Sequence, residues 1–351
     1  MTVFNVKQGD SLLLRPEFGC DFYELPLLID TGPSAARVAD RLEVDVLAVV
    51  VTHSHADHIG GLPRLLNQRT ISKIFVPYYL PEIARINRFL WKFSNVQLKE
   101  LNWRRLRKER VIPVADGDKL CKHLLVLNPP RHPDQFIFGN DRSELGILDA
   151  LNILNGLGIE LPRDEILDYM TPIFSSQQGE QNNDYPSLAR QFVHRFFVSL
   201  CESLQYLQRE AISYEINRHI ELTANQASVV FRFEDSCGTW LFTGDADVVV
   251  FDRLIAEGRN ISAKYLKVPH HGSRGNMNRT ILQKISPEYA IVSHYNRPFG
   301  RSLDPHPHHE VIDLLDQSGV KTYYTNHVLK KKVSIRTATV GATPDGAITF
   351  L

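Results

Sequence analysis

Four side chains able to hold a metal ion crowd into His53-Ser54-His55-Ala56-Asp57-His58, directly after the apolar run Val46-Leu47-Ala48-Val49-Val50-Val51. That run is short and rich in valine, which suits a buried strand rather than a helix. The ligand types therefore sit at a strand's end. His53 and His55, two apart, point the same way from an extended segment, while Asp57 and His58 lie past the bend and face a second ion. Imidazole nitrogen and carboxylate oxygen suit zinc, manganese or iron better than metals that prefer thiolate. The Ile59-Gly60-Gly61-Leu62 that follows lets the backbone turn tightly and start a helix. A lone histidine on an apolar strand is ordinarily a core or surface residue. Three histidines and an aspartate at this spacing instead predict a dinuclear metal centre.

Two later segments supply what the first lacks. Trp240-Leu241-Phe242-Thr243-Gly244-Asp245 reads as an apolar strand ending in a turn, which places the Asp245 carboxylate where it can bridge two cations; alone, an aspartate at a turn is a weak sign. Tyr265-Leu266-Lys267-Val268-Pro269-His270-His271-Gly272-Ser273 repeats the layout of strand, histidines and glycine. Adjacent side chains on an extended backbone diverge, so one of the pair is expected to be a ligand and the other to face substrate. His271 is the preferred ligand and His270 the alternative, with Ser273 beside the substrate.

The order of apolar strand, HxHxDH, TGD and KVPHHGS resembles the metallo-β-lactamase superfamily, and within it the ComEC-like branch, named for the metallo-hydrolase domain of DNA-uptake competence proteins. Val6-Lys7-Gln8-Gly9-Asp10-Ser11 and Leu28-Ile29-Asp30-Thr31-Gly32 resemble that branch's opening strands and its aspartate-glycine motif. Asn225-Gln226-Ala227-Ser228 is similar to its Asn-x-x-Ser element, and Ala290-Ile291-Val292-Ser293 with His306-Pro307-His308-His309-Glu310-Val311 resembles its closing strand and His-Pro helix. The resemblance implies an α/β chain folded as a four-layer αββα sandwich, residues 1–351, with motifs over most of its length. It implies two divalent ions, zinc or manganese, held by His53, His55, Asp57, His58, Asp245 and one of His270 and His271. Asp30, Asn225 and Ser228 would support those ligands from behind.

The chain also departs from the family. Many lactamase-type members carry a further metal-binding histidine between HxHxDH and TGD, but His123, His132, His194 and His219 lie in no recognisable ligand motif. The first metal is left with His53, His55 and Asp245, as the Asn-x-x-Ser branches imply. The ComEC-like motif more often has Asp where this chain has His55, and the extra nitrogen shifts preference from manganese towards zinc.

Such a centre would lower the pKa of a water bridging two cations from near 16 towards about 7 and neutralise charge on a phosphoryl or carbonyl oxygen. Asp57 would bind the second metal and orient the hydroxide; Lys267 would meet the substrate phosphate; His306 or His308 would give a leaving alkoxide its proton, with His309 facing solvent. The function expected is a metal-dependent phosphodiesterase, a nuclease acting on DNA. The alternatives are a small-molecule phosphodiesterase of cyclic-nucleotide or phosphorylcholine type, and a non-catalytic, metal-stabilised partner-binding protein.

Composition bounds the partners. Lys and Arg total 40 against 40 Asp and Glu, so bulk charge neither recruits nor excludes nucleic acid. No apolar run approaches the ~18 residues of a membrane span and no leader precedes the first strand, which leads to the expectation of a soluble cytoplasmic protein with no membrane partner. Cys20, Cys121, Cys201 and Cys237 are scattered without CxxC pairing, as expected of reduced thiols.

Between the two halves, residues 138–221 have a different texture. Leu145, Leu148, Leu151 and Leu154 recur at helical spacing, as do Phe192, Phe196, Leu200, Leu204 and Leu207, so a helical insertion is expected. Its polar middle, Ser175 to Asp184, reads as a loop, and the whole could act as a lid or dock a regulatory protein. Trp103-Arg104-Arg105-Leu106-Arg107-Lys108-Glu109-Arg110 mixes an aromatic with guanidiniums, a composition found at phosphate-binding surfaces and equally on solvated helix faces. Lys330-Lys331-Lys332 reads as a protected strand edge.

Overall fold

A computed structural model of the chain describes residues 1–15, 25–94, 111–132, 135, 146–161, 185–205, 207, 209–235, 238–295, 305–326, 328 and 348–349. Trp103–Arg110, Ser175–Asp184 and Lys330–Lys332 lie outside the described residues, as do Cys20 and Cys237. Cys121 and Cys201 are free thiols.

The first half builds one sheet: β1 (Thr2–Val3), β2 (Leu12–Leu14), β3 (Leu27–Ile29), β4 (Val46–Val50), β5 (Thr70–Pro77) and β6 (Val111–Val114). Its short helices are α1 (Val38–Arg41), α2 (Ala56–Ile59) and α3 (Leu62–Gln68), followed by α4 (Leu80–Phe89) after β5. The chain then passes through β7 (Lys119–Cys121) and β8 (Leu124–Asn128) into α5 (Ile147–Gly156), α6 (Tyr185–Leu204) and α7 (Arg209–Gln226). The second sheet continues with β9 (Val230–Asp235), β10 (Gly238–Phe242), α8 (Val248–Ala256), β11 (Tyr265–Lys267), α9 (Arg279–Ile285), β12 (Tyr289–Val292), α10 (His309–Gln317) and β13 (Lys321–Tyr324). The last strand, β14 (Ile348–Thr349), returns to pair with β1.

Among the described residues each sheet has seven strands, in the orders β14-β1-β2-β3-β4-β5-β6 and β13-β12-β11-β10-β9-β8-β7. β3, β4, β5 and β6 run parallel, as do β10, β11, β12 and β13. Alternation along the strands makes both faces apolar. One set, including Ile29, Ala48, Val50 and Phe75, meets Phe231, Phe233, Trp240 and Phe242 between the sheets. The other faces of the two sheets pack under helices, with Leu28, Val49 and Ile74 beneath Ile59, Leu62 and Leu65, and Leu241, Leu266 and Ala290 beneath Phe251, Leu254 and Ile281. The result is the four-layer αββα arrangement expected from sequence. The pattern of continuous apolar strands follows, because a parallel strand covered on both sides has no polar face. Side chains after parallel neighbours emerge at the same end of a sheet, so the loops behind β3, β4, β10 and β11 are brought together.

The helices of the insertion form a fourth apolar cluster with α4, in which Tyr79 stacks on Phe192 with ring centroids 4.4 Å apart. Leu151 and Leu154 are buried there, whereas Leu148, on the same expected stripe, is 40% exposed. α7 runs on to Gln226, past the expected boundary at 221, so Asn225 belongs to a helix's last turn. Among the described residues, no helix is long and apolar enough to cross a membrane.

Glu82, in the first turn of α4, is buried against this cluster with neither carboxylate oxygen hydrogen-bonded. Burial pushes its acid up to about 7, and Arg85 offsets only part of that. The raised folded-state value makes ionisation unfavourable: this contribution is greatest below the unfolded value near 4.5 and is lost as pH rises through about 7. Replacing Glu82 with Gln is therefore expected to gain roughly 2–3 kcal/mol of stability at pH 8 relative to its effect at pH 5. Urea unfolding of both proteins at the two pH values checks this; a pH-independent difference contradicts it.

Candidate metal centre

Two neighbouring strand ends begin the site. Asp30 follows β3 and Thr52 follows β4, and Asp30, at a left-handed φ of 56°, turns its carboxylate back across the gap. Oδ1 accepts from the Thr52 N–H at 2.8 Å, and Oδ2 accepts from the Thr52 hydroxyl at 2.7 Å and lies 2.8 Å from His58 Nδ1. Because the Thr52 hydroxyl spends its proton on Asp30, it is an acceptor for His53 Nδ1, 3.0 Å away. His271 Nδ1 lies 3.0 Å from the carbonyl oxygen of Ser293, which can only accept. Three rings are thus held by protonated Nδ1 atoms, and each turns Nε2 inward.

Those inward atoms surround Asp245, delivered by the turn after β10. Its Oδ2 lies 3.3 Å from His58 Nε2, 3.6 Å from His53 Nε2 and 3.8 Å from the Nε2 of both His270 and His271. His53 Nε2 and His55 Nδ1 are 2.9 Å apart, and His271 Nε2 is 3.4 Å from Asp57 Oδ2. His53, His55 and Asp245 form one group that could hold an ion; Asp57, His58 and His271 form another, with the donor atoms of each within 4.8 Å of one another. Asp10, His58 and Asp245 form a third, overlapping combination.

The expected divergence of His270 and His271 does not occur. Both have left-handed backbones, with φ of 45° and 54°, and the curled chain aims both imidazoles at Asp245. Two consecutive non-glycine residues in this region are strained, at about 1–3 kcal/mol each, and the surrounding contacts must hold them. Gly272 supplies one such contact: at its φ of 82° a Cβ would come within 2.6 Å of Pro307, so the His306–His308 segment closes directly over the loop. The two residues differ in exposure, His271 being fully buried and His270 19% exposed at its side chain.

Lys267 requires a correction. It was expected to meet a substrate phosphate, but it is 2% exposed, and its Nζ pairs with Asp10 Oδ2 at 2.5 Å and donates to the carbonyl of Val268. Its charge is spent inside the protein. Asp10, which sequence reasoning did not single out as a site residue, braces the same centre, with Oδ1 3.6 Å from His271 Nδ1 and Oδ2 4.0 Å from His58 Nδ1. Gly9 makes that possible: a Cβ there would overlap the carbonyl oxygen of Asp57.

The remaining expected residues separate. Ser228 Oγ accepts from the Asp245 N–H at 3.1 Å, and the carbonyl of Asn225 accepts from the Ser228 N–H. Both support the TGD turn. Asn225 Oδ1 is buried without a hydrogen bond. Ser273 is buried, and its N–H donates to the His270 carbonyl, closing the histidine turn. His306 packs against His270 with centroids 5.2 Å apart. Burial, with His270, His271 and His308 beside it, pushes His306 well below the ordinary histidine range. His308 stands one ring further out, 4.7 Å from His306, with Nδ1 accepting from the Arg274 N–H. His309 is exposed beside Glu310, as expected. His219 packs on Phe196 in the helical cluster, and among the described residues His123, His132, His194 and His219 join no metal-ligand group.

Residues 24–135 match the model of the metallo-beta-lactamase superfamily. That stretch is similar to the metallo-beta-lactamase superfamily. ComE operon protein 3 of Bacillus subtilis (strain 168) is similar, at 30% identity over 102 residues, which is 29% of this chain and 13% of that protein. The matched stretch thus spans a small part of that relative. Two solved structures are similar at lower identity. Tm1679, a metal-dependent hydrolase of the beta-lactamase superfamily, shares 15% identity at a TM-score of 0.40, covering 95% of this chain and 100% of its own. The archaeal superfamily protein ST1585 from Sulfolobus tokodaii shares 19% at 0.22, covering 52% and 89%.

The similarity of residues 24–135 to that superfamily implies divalent ions, and the residues present fit them. Asp30, Asp57 and Asp245 are buried together, while the nearby lysine is already paired with Asp10. His58 Nε2, His271 Nε2 and Asp245 Oδ1 are buried without a well-formed hydrogen bond, a costly state for polar atoms that have no cation to meet. Burial alone would lower His58 and raise Asp245, yet each overrides it: the three carboxylates hold His58 well above the ordinary histidine range, and His58, His270 and His271 hold Asp245 well below the carboxylate range. The cluster demands positive charge. Burial lowers His55 to about 4, leaving its nitrogen available as a donor.

Asp30→Asn keeps the size but replaces one accepting oxygen with a donor that faces Thr52 and His58. Zinc affinity is expected to fall about 10- to 100-fold, measured by competition with a chelator; unchanged affinity contradicts the orienting role of Asp30.

Proposed function

We propose that the chain is a metal-dependent phosphodiesterase of the ComEC-like branch, a nuclease acting on DNA. The observation that carries it is the position of Asp245, whose single oxygen is within 3.8 Å of a nitrogen from each of four histidines. A carboxylate so placed can be shared by two ions, one with His53 and His55, the other with Asp57, His58 and His271. Such a pair of bound divalent cations supplies a nucleophile at neutral pH and neutralises charge on the oxygens of the group attacked. The chain's own residues hold that geometry. Asp30 and Thr52 fix His53 and His58, Ser293 fixes His271, and the paired Asp10 and Lys267 fill the space behind. Asp57, less buried than Asp245, is the carboxylate we assign to orient the attacking water.

Zinc fits the nitrogen-rich donor set better than manganese. DNA as substrate is supported by the motif order shared with the ComEC-like branch and by the similarity to ComE operon protein 3. The helical insertion at 138–221 is proposed as the surface that governs substrate access or docks a regulatory protein; its helix α7 displays Tyr214, which is 56% exposed.

Incubating the purified chain with labelled single- and double-stranded DNA and zinc or manganese is expected to give cleavage, and Asp57→Ala to reduce it more than about 100-fold with little change in thermal unfolding. No DNA cleavage alongside turnover of a cyclic nucleotide or phosphorylcholine ester would assign the small-molecule reading. No turnover of any diester by metal-loaded protein would leave the partner-binding reading.

A further inference from the structure

His270 is the most exposed member of the imidazole pair at the centre, and its chemistry depends on which ring nitrogen carries the proton. A residue outside the motifs decides this. Asn276 is 4% exposed, in the loop between β11 and α9. Its Nδ2 donates to the carbonyl of Asp245 at 3.0 Å and to that of Ala246 at 3.1 Å. Both partners can only accept, so the amide has one orientation: turning it over would set Oδ1 against two carbonyl oxygens. Oδ1 must then face His270 Nδ1, 3.2 Å away. An amide oxygen has no proton to give, so Nδ1 must donate.

We propose that Asn276 is a positioning residue that holds His270 as its Nδ1–H tautomer, so that His270 presents a lone pair, not a proton, to the centre. A neutral imidazole with its proton on Nδ1 has an acceptor at Nε2, and that atom lies 3.8 Å from the equally accepting Asp245 Oδ2. Two acceptors at this separation suit a cation or a water proton placed against both. The same geometry forbids His270 from donating to a substrate oxygen through Nε2. Asn276 also ties the TGD turn to the histidine turn, so one side chain sets both the spacing of Asp245 from His270 and the character of the facing atom. The proposal rests on the hydrolase reading for its purpose, but not for its test.

The full chain, labelled with 15N in its histidine rings and measured before zinc is added, reports each tautomer through long-range proton–nitrogen correlations. His270 is expected to show a protonated Nδ1. In Asn276→Ala that single form is expected to be lost, with Nε2–H appearing, while His271, held by Ser293, keeps its pattern. Asn276→Asp, with its carboxyl protonated, keeps an oxygen facing Nδ1 and an O–H for the carbonyls of Asp245 or Ala246, and at a pH low enough for that form is expected to restore the Nδ1–H form. A wild-type His270 protonated at Nε2, or an unchanged His270 in Asn276→Ala, overturns the proposal. Should Asn276→Ala disturb His271 as well, and so report misfolding, the wild-type and Asn276→Asp spectra decide. Absence of DNA cleavage with His270 still in the Nδ1–H form counts against the nuclease reading alone.

Discussion

The carboxylate of Asp30 is the constraint on which the centre depends. It is fully buried, and burial raises its acid despite His58 beside it, so its place must be secured by hydrogen bonds. Those bonds come from Thr52 twice and from His58, and through the Thr52 hydroxyl the constraint reaches His53. One carboxylate therefore sets the direction of a ring in each of the two candidate ion groups. It can do so because β3 and β4 are parallel neighbours and their ends leave the sheet side by side.

The second sheet answers the first. β10 delivers Asp245 and β11 the His270–His271 turn, again from parallel neighbours, and the contact from Ser293 after β12 orients His271. The apolar layer between the sheets, where Ala48, Val50 and Phe75 of the first meet Phe231 and Phe242 of the second, fixes how far apart these two sets of loops stand. Packing and chemistry are therefore linked by distance: a change in sheet spacing would alter the contacts of Asp245 with His53 and His58.

Much of this was legible in the sequence because it is local. The run Val46–Val51 followed by alternating ligand types marks both a strand and what lies at its end, and Trp240–Asp245 and Tyr265–His271 repeat that form. What was hidden is either long-range or conformational. Nothing local in Lys267 reveals that Asp10, far away in the chain, takes its charge. The convergence of His270 and His271 depends on two left-handed residues that no glycine announces. The end of α7 also depends on distant partners, since the Ser228 N–H and the Asn128 side chain satisfy the carbonyls of Asn225, Gln226 and Ser228.

The shared position of Asp245 is tested most directly by counting ions. Elemental analysis of the full chain after zinc loading and removal of excess metal should give two ions per chain, and Asp245→Ala, folded as judged by circular dichroism, should hold fewer than one. Two ions retained by Asp245→Ala would contradict the account.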